Sequence, residues 1–155
     1  MPYLHTNNGL IPEFINVNKS VGVNGLNLTE DVRFVQRALT SLYSSRYVKV
    51  SKNTGALWTK PNSVLNLDGV CDAATRQWIF KFQIDVGSQV GTDILIDGCI
   101  APATKATSTI VYLNRILQLN YPEQHNALLN EWKPTAGRSL KRAVTQTLRI
   151  PRFAL

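Results

Sequence analysis

The sequence predicts a mainly α protein: a three-helix core with a repeated Asp-Gly turn, a small β-hairpin or ordered loop, and a C-terminal helical extension. Three observations predict it. Apolar residues recur at three- and four-residue steps in several segments. Two similar segments open on Asp-Gly and run into helical patterns. The 155 residues, 44% hydrophobic and 17% charged, have the composition of one globular domain that needs neither metal nor disulfide to fold.

Residues 1–19 hold two prolines, several asparagines and no periodicity, and are expected to form an extended arm. The first helix follows on Val32, Val35, Leu39 and Leu42, with Asn27 or Thr29 as its cap. Glu30 and Asp31 fall in its first turn, where carboxylates complement the helix dipole. Tyr47-Val48-Lys49-Val50 then suits a short strand, Asn53-Thr54-Gly55 a turn, and Ala56-Leu57-Trp58 a return strand.

Asp68-Gly69-Val70-Cys71-Asp72-Ala73-Ala74-Thr75 is a tight turn in which Asp72 caps a helix running from Ala73 to about Val86. That helix buries Trp78, Ile79, Phe82 and Val86. Phe80 and Ile84 lie on its other side and are expected to pack against later helices, because large apolar residues are mostly buried. The device recurs 29 residues later as Asp97-Gly98-Cys99-Ile100-Ala101-Pro102-Ala103-Thr104. Pro102 fits a first helical position, and Ala103, Ala106, Ile110, Leu113 and Leu117 continue at helical spacing. A further helix starts at Asn120-Tyr121-Pro122 with Ala127, Leu128, Leu129 and Trp132 on its apolar face. A last basic helix is expected over residues 139–148, with Leu140, Val144 and Leu148 inward. The expected organisation is an arm (1–19), a domain (20–119) and a basic helical extension (120–155). Val35, Leu39, Trp78, Phe82, Ile110 and Leu113 form its core. Asp68 and Asp97 are read as turn residues that bond their own backbone, and Gln36 and Gln83 as ties between helices and loops.

The net charge of +7 is uneven. Residues 133–155 carry Lys133, Arg138, Lys141, Arg142, Arg149 and Arg152 and no acid. Such a tail is either a solvated face or an attraction for an anionic partner such as wall polymer, lipid head groups or nucleic acid. Nucleic acid is the less favoured, since only the tail would serve it. No apolar run approaches the ~20 residues of a membrane span. The first residues lack the basic and apolar segments of a secretory signal, so the reading is a soluble protein made in the cytoplasm.

Catalytic patterns are sparse, and the expectation is a protein that is not an enzyme and holds no cofactor or metal. His5 and His125 are the two histidines; the chain has no His-Glu-x-x-His and no Ser-x-x-Lys. A Cys71–His125 thiol dyad is weighed against burial of Cys71 in its turn, and burial is favoured. Glu123 and Glu131 are the nominal carboxylates for a muramidase. Cys71 and Cys99 have neither metal-ligand nor redox-motif spacing. Reduced thiols are the default, with a disulfide between the two similar turns left open after export.

The series Ser20-Val21-Gly22-Val23-Asn24-Gly25, Asp31-Val32-x-x-Val35-Gln36, Asp68-Gly-Val-Cys-x-x-x-Thr75, Phe82-Gln83 and Asp97-Gly-x-Ile-x-Pro-x-Thr104 resembles the peptidoglycan-binding domain family, over about residues 20–117. The sequence differs from the family's pattern in having Asp72 and Ala101 at glycine positions and Cys71 at an aromatic one. Cysteine there is similar to a branch that accompanies type VI secretion proteins, which lack signal peptides. The resemblance implies a three-helix fold and non-catalytic binding of glycan or stem peptide in a targeting or accessory role. It also implies action in the periplasm or at the cell wall after non-classical export. By the same resemblance, Arg33, Arg76 and Lys105 would meet stem-peptide carboxylates, and Tyr43, Tyr47 or Trp58 would stack on a sugar. The alternative is an adaptor, chaperone or immunity protein of a secretion system that keeps the fold without murein binding; a small wall hydrolase is a third reading.

Overall fold

The computed structural model describes residues 2–7, 11–51, 54–90, 94–104 and 108–131. In chain order they form β1 (Tyr3–Asn7), β2 (Ile11–Asn16), β3 (Val21–Gly22), α1 (Thr29–Leu42), β4 (Tyr47–Ser51) and β5 (Thr54–Leu57). Then follow α2 (Ala73–Val90), β6 (Cys99–Ile100), α3 (Thr109–Asn120) and α4 (Pro122–Glu131). The strands pair as three two-stranded antiparallel sheets, β1–β2, β3–β6 and β4–β5. Among the described residues the fold is therefore a mixed one of four helices and small sheets, not as clearly mainly α as expected. Strands of two to six residues are too short for alternation to declare them in sequence.

The expected arm carries the β1–β2 hairpin, with Leu4 opposite Ile15 and His5 opposite Phe14. Phe14, Ile15 and Val17 are fully buried. Asn114 of α3 holds the Ile15 backbone at both groups: its Oδ1 accepts from the Ile15 N–H at 2.8 Å, and its Nδ2 donates to the Ile15 carbonyl at 2.8 Å. That amide does for β2 what a third strand would do, satisfying its buried N–H and C=O.

Helix α1 begins at Thr29 after an extended Leu28 that supplies no side-chain cap, so neither Asn27 nor Thr29 caps it as expected. Asn27 is engaged elsewhere. Its Oδ1 accepts from the Gly22 N–H at 2.7 Å, and its Nδ2 donates to the Gly25 and Gly22 carbonyls, closing the loop before the helix. Glu30 and Asp31 do lie in the first turn, and buried Asp31 accepts the Asn18 and Lys19 amides at 3.0 and 2.9 Å.

The hairpin over residues 47–57 forms as expected, except that its return strand opens at Thr54, placing Gly55 opposite Lys49. Asn120, at the end of α3, bonds both the N–H and the C=O of Lys49. Asp72 caps α2 as expected, accepting the Thr75 N–H at 2.9 Å, and the helix runs on to Val90. Its inner stripe of Trp78, Ile79, Phe82 and Val86 is buried. Phe80 (37% exposed) and Ile84 (49%) are not buried under a later helix; Phe80 lies instead against Gly98 of the second turn.

The second turn departs from expectation. Helix α3 starts at Thr109 rather than near Ala103, so Pro102 does not open it. The Ala103 N–H is instead held by buried Asn16 Oδ1 at 2.9 Å, which ties the connection to the end of β2. Helix α4 starts at Pro122, as its sequence signal implies, and buries Leu128 and Leu129. All six expected core residues are buried. Trp132 and the expected helix over 139–148 lie outside the described residues.

Candidate functional site

The two Asp-Gly turns are fastened to helices by the same arrangement. In the first, Gln36 of α1 accepts the Gly69 N–H on Oε1 at 2.9 Å. Its Nε2 donates to the Val70 carbonyl and the Thr75 hydroxyl, each at 3.0 Å, and reaches Asp68 Oδ1 at 3.3 Å. In the second, Gln83 of α2 accepts the Gly98 N–H at 2.8 Å. Its Nε2 donates to the Cys99 carbonyl at 3.0 Å and Asp97 Oδ1 at 3.1 Å, with Thr109 Oγ1 at 3.4 Å. Asp68 and Asp97 each also accept the amide two residues on, as turn aspartates do. The threonine that completes the second latch is Thr109, not the Thr104 that matches Thr75 in sequence. The longer connection through Pro102 displaces it to the start of α3.

Glycine is required at both latches. Gly69 and Gly98 have φ of +77° and +71°, a region costly for other residues. A Cβ on Gly98 would stand 2.4 Å from the Phe80 ring. Between the turns, a Cβ on Gly22 (φ +116°) would fall 2.0 Å from the Gly98 carbonyl oxygen.

The first turn is the candidate site. Gly69 sits against Thr29, so the turn lies beside the N-terminus of α1. Arg33 stands one turn into that helix, paired with Glu30 at 2.7 Å but well exposed. Arg76, in the first turn of α2, donates to the Cys71 carbonyl at 3.1 Å. Leu28, just before α1, and Leu67 and Val70, on either side of the Asp68-Gly69 pair, are exposed. Two guanidiniums bordered by aliphatic side chains can bind carboxylates on a short acidic chain while covering small apolar groups.

The aromatic candidates fare differently. Trp58 (2% exposed) and Tyr43 (5%) are core residues, so neither offers a face to a sugar. They pack with Trp78 and Phe82, at ring separations of 5.7–6.2 Å. The Tyr43 hydroxyl donates to Asp85 Oδ2 at 2.5 Å; burial first, then Asp85, holds that phenol protonated far above its ordinary range. Lys81 pairs with the other oxygen of Asp85 at 2.6 Å. Only their large area, read as available, pointed outward in sequence. Tyr47 is exposed (64%), but it opens β4 beyond the far end of α1. The ten residues from Arg33 to Tyr43 alone span about 15 Å of helix, which separates it from the first turn. Lys105 lies outside the described residues.

The thiol dyad is not assembled. His125 is buried with Nε2 3.1 Å from Asn114 Oδ1. Asn114 Nδ2 donates to the Ile15 and Ile110 carbonyls, which fixes Oδ1 as an acceptor and puts the imidazole proton on Nε2. Burial, with Arg115 nearby, lowers its pKa to about 4. Cys71 is half-buried and packs against the core, and burial pushes its thiol up. The described residues contain no group of three His, Cys, Asp or Glu placed to hold a metal ion, and no helix among them is long and apolar enough to cross a membrane.

No protein-family model matches the chain, and no match was found among curated proteins or solved structures.

Proposed function

We propose that this chain is a non-catalytic binding module for bacterial cell-wall peptidoglycan, with the first Asp-Gly turn as its contact surface. The observation that carries the reading is the pair of glutamine-latched turns, which gives a shared structural role to the motifs resembling the peptidoglycan-binding domain family. Stem peptides combine carboxylates with small alkyl side chains. Arg33 and Arg76 match the first, and Leu28, Leu67 and Val70 the second. With Tyr43 and Trp58 in the core, recognition on this reading rests on the stem peptide rather than on sugar stacking. The role on this reading is targeting or accessory, in the periplasm or at the wall, as a cargo or companion of a type VI secretion apparatus.

The test is co-sedimentation with purified sacculi at low and ~0.5 M salt, where exposed charges are largely screened. The full chain, a chain ending at Trp132, and Arg33→Ala/Arg76→Ala are compared. The first two are expected to bind alike, both more weakly at the higher salt. The double variant should lose about tenfold in affinity, the effect of one or two charged hydrogen bonds. Loss of binding on truncation would assign the interaction to the basic tail, and a double variant retained as well as the full chain would equally overturn the reading.

A second reading, a protein-interaction adaptor or chaperone, is favoured by a separate observation. Phe80, Ile84, Leu95 and Ile96 are exposed together around the outer face of α2, with Ile96 lying over Gly87 and Phe80 over Gly98. Indifference to sacculi together with a stable complex with a secretion-system protein would select it.

A further inference from the structure

Strand β3 is shared by the two latched turns. Gly22 pairs with Cys99 in the β3–β6 ladder, and a Cβ on Gly22 would stand 3.1 Å from the Cys99 Cα. The Val23 N–H bonds the Gly98 carbonyl at 2.9 Å, which presses the second turn onto the same two residues. From the other side, the Gly22 amide lies beside the Cys71 sulfur. Both cysteines are free and half-buried, so reagents reach them. The cysteines thus converge on one glycine that has no side chain to separate them.

We propose that Cys71 and Cys99 are an oxidation-responsive pair that closes to an intramolecular disulfide across Gly22, clamping the two turns to one another. At Cys99, burial and then the Asp97 carboxylate push the thiol up, and the nearby Cys71 sulfur adds to this in a smaller measure. Burial is the larger cause and pushes both thiols up, so the pair stays reduced until it meets an oxidant and reacts faster as pH rises. The co-reactant is a small-molecule disulfide. One cysteine thiolate attacks it, forming a mixed disulfide and expelling one thiolate of the reagent. The second cysteine thiolate then attacks the protein sulfur of that mixed disulfide and expels the other. A Cys71 Sγ–Cys99 Sγ bond forms, the two cysteine protons end on the departing thiols, and the reagent is reduced by two electrons.

The inference does not depend on peptidoglycan binding. The native full chain is incubated with oxidised glutathione at pH 7 and pH 8.5, quenched with an alkylating agent, and measured by intact mass and peptide mapping. The expected product has lost two hydrogens, resists alkylation, and yields one peptide linking residues 71 and 99. It should form faster at pH 8.5 and more slowly in denaturing urea, and its melting temperature should rise by about 10 °C. Cys71→Ser and Cys99→Ser should each stop at a single glutathione adduct. A wild-type product carrying two glutathiones, an intermolecular dimer, two alkylatable thiols, or closure as fast in urea as in the native state would each overturn the proposal.

Discussion

At the scale of single residues, the buried polar side chains do the positioning, and His125 shows what that entails. Its pKa is about 4 in the fold against 6.5 for the free side chain. Above about pH 6.5 both states are neutral there, and the shift has no effect on stability. Between about 6.5 and 4 the unfolded chain takes up a proton that the native chain refuses, so stability falls as pH falls. The loss approaches about 3 kcal/mol and levels off below about pH 4. Urea unfolding monitored from pH 7.5 to 4 should show this slope. His125→Gln, which keeps a donor for Asn114 and does not titrate, should abolish His125's share of it. A Gln variant with an unchanged slope would place the acid sensitivity elsewhere.

At the scale of elements, each glutamine latch joins a helix to a turn that comes later in the chain. Gln36→Ala or Gln83→Ala would leave a buried glycine N–H unpaired, at a cost of about 1–3 kcal/mol each. The losses should add when both are made only if the turns are independent. Because β3 touches both, the double variant is expected to lose less than the sum in a denaturant-based cycle. Much of this was legible in the sequence. The Asp-Gly pairs, Gln36, Gln83, the cap at Asp72 and the helical stripes are local patterns, and the structure has each in that role. What was not legible is non-local. The N-terminal hairpin is held by Asn114, and the Ala103 amide, expected inside a helix, is held by Asn16. Tyr43 is received by Asp85 and Trp78, and Trp58 by Tyr43 and Phe82. No pattern within a few residues announces any of these.

At the scale of the molecule, the ends of the described chain meet. β2 lies against α3, and Arg37 of α1 pairs with Glu131 at the end of α4. A chain lacking residues 1–17 should therefore lose Phe14, Ile15 and Val17 from the core. It should melt at a clearly lower temperature, or without a cooperative transition, by calorimetry; an unchanged melting curve would make the hairpin an appendage. The bond between Ile15 and Asn114 spans 99 positions. During synthesis, the hairpin leaves the ribosome well before its partner amide does and must wait for it. Until then its strand edge is open and its apolar residues are in water, the condition in which nascent chains pair with one another. A holding chaperone acting on the β1–β2 hairpin would thus matter more to the yield of this protein than to its final stability.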